Sequence, residues 1–346
     1  MVIGIAKRTR TALIILVALA FVVTTLGSAQ AGTFQIPAKG NKKIKIGVLD
    51  LIAGIEVSAL SCNWYRKHAK ERGWDLQVFD MAFNYANAQS IMENMITAGY
   101  DGIIVNWVDF KYYDQQVLKA YNKGIPVQGI ACGNNVPGVI SQGIAPDMAM
   151  GALSSMYLVT KLHEGDKVLV FIDPQVGNCV FRFNTAKVTF DMYRIKIAQE
   201  MHYPGKGDPS QVCYEAVRNA LLADTKKEIK GVWTHWEGYG IPAARAAMDM
   251  GRKDIVVVTS DGSPNTYKEL RELPTLHATS DTIWDAPNWT SHLFKNFDKI
   301  FAGQPFVDNE VWFSVPNLVT KENLPPPGYY YSPCGYKGRP ADFQVK

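Results

Sequence analysis

One feature constrains this chain more than any other: short apolar runs alternate with segments whose apolar residues recur at helical spacing. Residues 43–50 (KIKIGVLD) alternate polar and apolar and then turn apolar, as a strand entering a core does. Residues 102–105 (GIIV) are apolar throughout, the pattern of a strand buried on both faces. Between them, Ile91, Met92, Met95 and Ile96 share one face of a helix over 87–98. Ser58 is placed to cap a helix over 58–73, with Leu60 and Trp64 on one face and Gly73 at its end. The rhythm continues through strands near 74–81, 125–127, 167–172, 195–197, 231–234, 254–259 and 275–279. Helices fall near 111–122, 148–163, 210–223, 242–250, 265–273 and 286–301, with another ending about 193. Strands alternating with helices build βαβ units and parallel sheets. A single open sheet rarely exceeds about ten strands. Two doubly wound, Rossmann-like α/β lobes joined by a hinge are therefore expected, dividing near 142–146.

The N-terminus reads as an export signal. Lys7, Arg8 and Arg10 precede an uncharged apolar stretch over 12–23, and Ser28, Ala29, Gln30 and Ala31 supply a small-residue cleavage site after Ala31. Cleavage would remove three positive charges from a formal +4 and leave +1 on 315 residues. A nearly neutral chain offers no electrostatic case for nucleic acid. The five cysteines, Cys62, Cys132, Cys179, Cys213 and Cys334, include no C-x-x-C pair, so redox and zinc chemistry are not expected and most read as buried thiols. No phosphate-cradling glycine loop and no G-x-S-x-G elbow is present. His235 and Glu237 lack a third ligand nearby in sequence. No cofactor, no metal and no catalytic constellation are expected, and the chain reads as a binding protein, not an enzyme.

In open parallel sheets a ligand lies beyond the carboxyl ends of the strands. The residues following the strands are therefore the candidates: Asp50 and Glu56; Asn106, Trp107 and Asp109; Ala131, Cys132, Asn134 and Asn135; Asn178 and Arg182; His235, Trp236 and Glu237; Ser260 and Asp261; Asp281, Trp284 and Asp285. The strongest of these are Asp50, Asn106, Trp107, Asp109, Arg182, Trp236, Glu237, Asp261 and Trp284. Indole faces stack on the C–H face of a polyol or hold a cation. Carboxylates and guanidinium make the charge-assisted bonds that orient polar groups. Replacing Arg182 or Asp261 by alanine is expected to weaken binding and leave the fold intact.

At these residues the chain resembles the type I periplasmic solute-binding proteins, in particular the ribose- and galactose-binding branch that serves ABC importers. Asn87-Ala88-Gln89 followed by residues 100–104 (YDGII), residues 124–127 (GIPV), residues 231–233 (GVW), residues 256–262 (VVVTSDG), residues 303–305 (GQP) and residues 318–323 (LVTKEN) carry the likeness in order. The resemblance implies a first lobe from 32–142 and 286–304, a second from 143–285 and 308–320, and an extended tail over 321–346. It implies three crossovers, near 142–146, 282–286 and 304–308, and closure by hinge motion. Asn106, Arg182 and Asp261 match family positions that bond sugar hydroxyls. Ala131-Cys132 and Trp236-Glu237 stand where sugar binders carry Asp-Arg and Asn-Asp. The function implied is delivery of a small polar solute (a sugar, polyol or related molecule) to an ABC permease by a monomeric periplasmic protein. A sensing role, presenting ligand to a membrane histidine kinase, is the alternative.

Overall fold

The computed structural model describes residues 32–333. The expected signal segment 1–31 and the end of the tail from 334, Cys334 included, lie outside the described residues. In chain order come β1 (Thr33–Phe34), β2 (Lys45–Asp50), α1 (Glu56–Glu71), β3 (Asp75–Asp80), α2 (Tyr85–Thr97), β4 (Gly102–Asn106), α3 (Asp114–Asn122), β5 (Val127–Ile130) and β6 (Val139–Ile144). Then follow α4 (Asp147–Val159), β7 (Lys167–Ile172), α5 (Gly177–Met192), β8 (Lys196–His202), α6 (Pro209–Ala223), β9 (Ile229–Thr234), α7 (Glu237–Asp249), β10 (Val256–Ser260), α8 (Pro264–Glu272) and β11 (Leu276–Asp281). The last elements are α9 (Ala286–Phe301), β12 (Phe306–Val307), β13 (Glu310–Phe313) and β14 (Asn317–Thr320).

Two six-stranded sheets result. The first runs β3-β2-β4-β5-β6-β13 and is parallel throughout. The second runs β8-β7-β9-β10-β11-β14, parallel except for β14. Each is a doubly wound sheet whose strand order reverses once, between β2 and β4 in the first and between β7 and β9 in the second. Such reversal points open the crevice in which α/β sheets bind ligands. Each sheet is covered on both faces by helices, so β4 is buried along its whole length, as its apolar sequence requires. Helix α9 comes from the far side of the chain to cover the first sheet. Its Trp289, Leu293, Phe294, Phe297 and Ile300 recur every three to four residues and are all buried beside Tyr65 of α1. Burial of each such side chain contributes about 1.5–3 kcal/mol.

The structure redraws several expected elements. Helix α1 begins at Glu56, without a side-chain cap, and Ser58 instead donates its hydroxyl hydrogen bond to Asp50 inside the lobe. Helix α7 begins at Glu237, five residues before Pro242, which the first turns accommodate. Strand β6 is an unexpected core strand: its Ser141 and Gln142 are wholly buried, Ser141 accepting from Asn296 and Gln142 from the Cys132 amide. The segment 308–320 does not belong to the second lobe as a unit. Residues 310–313 extend the first sheet beyond β6, residues 317–320 extend the second beyond β11, and the third crossover runs through 314–316. Residues 306–307, near the expected third crossover, pair with β1 instead.

The start of the expected tail is not a free surface strand. Leu324 and Tyr331 pack on the second-lobe core, and Arg271 donates to the Pro325 carbonyl. The Tyr331 amide reaches the Tyr267 hydroxyl at 3.4 Å. Between these anchors Tyr330, 5% exposed, enters a niche made by Val57 of α1 and Ile283 of the second crossover. Its hydroxyl lies 3.5 Å from Glu56. The tail thus ties the second lobe to the first.

Candidate functional site

The two strand-order reversals face each other across a narrow cleft with about 60 Å³ of free internal volume. Leu51, Trp107, Asp173 and His235, which line it, are the first residues after β2, β4, β7 and β9. Ile55, Val57, Phe83, Val176, Trp236 and Tyr239 give the cleft an apolar and aromatic wall. Arg182, Asn178, Cys179 and Asp261 complete it from the second lobe.

The backbone is bent at this place. Trp107, Ala131 and Asp261 each follow the last residue of a strand and each adopt positive φ, at 65°, 53° and 66°. A bulky residue rarely takes this conformation, and such strain gathers at functional sites. Each amide still bonds to the neighbouring strand: Trp107 to Ile130, Ala131 to Gly143 and Asp261 to Ser280.

Arg182 organises the second-lobe side. It projects from α5, which lies so close to α4 that a Cβ on Gly151 would collide with the Arg182 backbone. Its Nε donates to Asp147 at 2.7 Å, and its Nη1 donates to Asp261 at 2.7 Å and to the His235 carbonyl at 2.8 Å. The group is 3% exposed. Burial opposes its charge, but Asp261 and Asp147 outweigh burial and raise its pKa. Burial pushes Asp147 up to about 6 in spite of Arg182. His235 is lowered to about 3, first by burial and then by Arg182, so its ring is neutral. One ring nitrogen donates to the Phe171 carbonyl, and Nδ1 is left without a partner. Asp261 Oδ1 and Trp107 Nε1 are likewise buried without a protein partner. Glu237, at the start of α7, has an unpartnered Oε2 and a pKa pushed well up by burial and then by Asp261.

The lobes already touch across the cleft. Asn178 donates to the Ala131 carbonyl at 2.8 Å, and the Tyr112 hydroxyl donates to the Gln175 carbonyl at 2.6 Å. Glu56 of α1 is hydrogen-bonded to Ser263, which caps α8. Asp109 packs so tightly on Gly177 that any side chain there would strike its carboxylate.

Of the expected site residues, Trp107, Arg182, Trp236 and Asp261 line the cleft. Asp50 and Asn106 do not. Asn106 donates to Asp50 at 2.7 Å and accepts from Tyr65 at 3.0 Å, and both are 0% exposed within the first lobe. Asp109 caps a short helical turn at 110–112 and pairs with Lys111 at 3.0 Å. Trp284 sits in the turn Ile283–Asp285 of the second crossover, and Glu237 lies behind the lining. Sequence reasoning missed Asp173, although it directly follows β7, and missed the apolar wall, whose residues carry no polar signal. The four described cysteines are buried, and burial raises each thiol, Cys62 to about 12.

Two facing α/β lobes with a cleft at both reversal points agree with a family model, described as periplasmic binding protein domain, that matches residues 63–290. The chain belongs to the periplasmic binding protein family. Solved structures share the fold of this binding protein at low identity. An ABC sugar transporter subunit from Rhodobacter sphaeroides has a TM-score of 0.72 at 22% identity, covering 81% of this chain and 99% of the other. An ABC transporter solute binding protein from Agrobacterium vitis, solved with bound allitol, gives 0.74 at 18%, covering 82% and 97%. The Caulobacter myo-inositol binding protein, solved with myo-inositol, gives 0.72 at 17%, covering 82% and 95%. No protein of curated function matches the chain.

Proposed function

We propose that this periplasmic binding protein is the substrate-binding component of an ABC importer, exported to the periplasm, acting as a monomer and closing its two lobes on one small polar solute. The observation that carries this reading is the cleft itself. Unpartnered polar atoms of both lobes, Trp107 Nε1 from the first and Asp261 Oδ1 and His235 Nδ1 from the second, meet between aromatic walls. Buried polar atoms without partners are costly, and a ligand that bridges them favours the closed arrangement. The solved sugar- and polyol-binding relatives support the class of role. Nothing in the lining pairs a nucleophile with a base: the Cys179 thiol is held protonated by burial, and the His235 ring lies far below its usual range.

The test is thermal unfolding of the mature protein, refolded to strip bound solute, against a panel of sugars, polyols, amines and small aromatic acids. A ligand that binds only the folded state must raise the midpoint. The expected result is a rise of several degrees with one chemical class. A cooperative transition that no class shifts would remove the solute-binding reading.

A further inference from the structure

The cleft is not balanced between donors and acceptors, and the imbalance names a ligand class. Among the lining side-chain atoms that lack protein partners, two are acceptors on the second-lobe side, Asp261 Oδ1 and His235 Nδ1, against one donor on the first, Trp107 Nε1. Asp261 is 7% and His235 2% exposed. The His235 ring can offer only a lone pair here, because its other nitrogen already donates to Phe171. Among the described lining residues Arg182 is the one cation, and its charge is engaged by Asp147 and Asp261. Asp173 adds a further carboxyl to the lining. Burial is the first cause that raises the pKa of Asp147, Asp173 and Glu237, and a cationic group bound beside them would oppose that shift. Facing them, Phe83, Trp107, Trp236 and Tyr239 present ring faces or edges, which attract a cation and accept an apolar body.

We infer that the solute is a small organic cation, an amine with an apolar body, whose N–H groups reach Asp261 and His235 while its carbon skeleton lies against Trp107 and Trp236. This rests on the solute-binding reading above. A neutral polyol would also supply donors, but each hydroxyl brings lone pairs that meet carboxyl and imidazole acceptors, and it brings no charge to offset the carboxyls.

The test compares 1,4-diaminobutane, agmatine and choline with allitol, myo-inositol and ribose, by calorimetry on the stripped protein and on Asp261→Asn. Asparagine tolerates positive φ and keeps an oxygen toward Arg182, so the substitution removes charge at constant shape. An amine is expected to bind the wild type and to lose about tenfold or more in affinity in Asp261→Asn, about 1.4 kcal/mol. Polyol binding without amine binding overturns this inference and leaves the solute-binding reading standing. Binding of neither class overturns both. Amine binding that is unchanged in a folded Asp261→Asn overturns the assignment. If that variant does not fold, the choice between amine and polyol on the wild type still decides.

Discussion

The two lobes share one topology, yet they spend their strand ends differently. At the first reversal point Asp50 and Asn106 turn inward and bond to each other, Asp50 also to Ser58 and Asn106 also to Tyr65, with Asp50 Oδ2 left unpartnered inside the lobe and away from the cleft lining. The next residues, Leu51 and Trp107, face the cleft. At the second reversal point Asp173 and His235 face the cleft, Arg182 is braced by two carboxylates, and acceptors remain unpartnered. The first lobe presents an apolar wall to the cleft, and the second presents the charged groups. Equivalent positions in one fold therefore need not share a role, because a shift of one residue past the strand end decides whether a side chain points into the lobe or out of it.

The largest effect should come from breaking the second-lobe network. Arg182→Ala leaves Asp147 and Asp261 buried without their cation and should cost about 3–5 kcal/mol of stability in urea unfolding. This corrects the expectation that the fold would be untouched, since the group is an internal brace as well as a cleft residue. A loss below about 1 kcal/mol would show that the brace is dispensable.

The pH dependence should sharpen the same contrast. Burial, reinforced by Asp261, raises Asp281 to about 7 against the hydrogen bonds from Tyr267 and Ile283. The folded state then holds a proton that the unfolded chain releases near the ordinary carboxyl value of 3.8. That contribution is fully present below 3.8 and is lost as pH rises through about 7. His235 works in the opposite sense: its stabilisation is present above the ordinary imidazole value of 6.5 and is lost as pH falls toward 3. Asp281→Asn should remove the falling limb, so that the variant gains on the wild type by on the order of 4 kcal/mol between about pH 4 and 7. Parallel stability profiles for the two proteins would contradict the assignment.

Asn106→Ala should separate the lobes' roles directly. It breaks a buried network that does not line the cleft and should cost about 2 kcal/mol in stability while leaving solute affinity unchanged. Lost affinity in a folded variant would place Asn106 in recognition after all. The smallest effect should come from Trp107→Phe. The ring face is kept and the unpartnered Nε1 donor is lost, so affinity should fall by about 1 kcal/mol or less. A much larger loss would mean that the indole donor, and not the ring, anchors the solute.

The fold was legible because burial writes itself into sequence. Residues 102–105 need two covering layers, and α9 shows its face through Trp289, Leu293 and Phe297. The elements that escaped had other grammar. Strand β6 hides Ser141 and Gln142 in the core, and β13 is an edge strand whose residues are only half covered. In the site, Arg182 and Asp261 were readable from charge, turn chemistry and resemblance together. Leu51, Val57 and Phe83 were not, since an apolar cleft wall and an apolar core look alike along a chain. Which neighbour of a strand end faces outward depends on strand register and on local positive φ, and Trp107 shows that neither is visible in residue type.

Tyr330 has a consequence for timing. Its niche is shared between Val57 of the first lobe and Ile283 at the crossover, while Tyr331 beside it is moored to Tyr267 of the second lobe. That niche exists only when the lobes have come together, so the tail can seat only after both have folded. Any rotation that parts Glu56 from Ser263 must also draw the phenol out. Parting the cleft at this edge would therefore also require the strap that follows Pro325 to leave its seat on Val57.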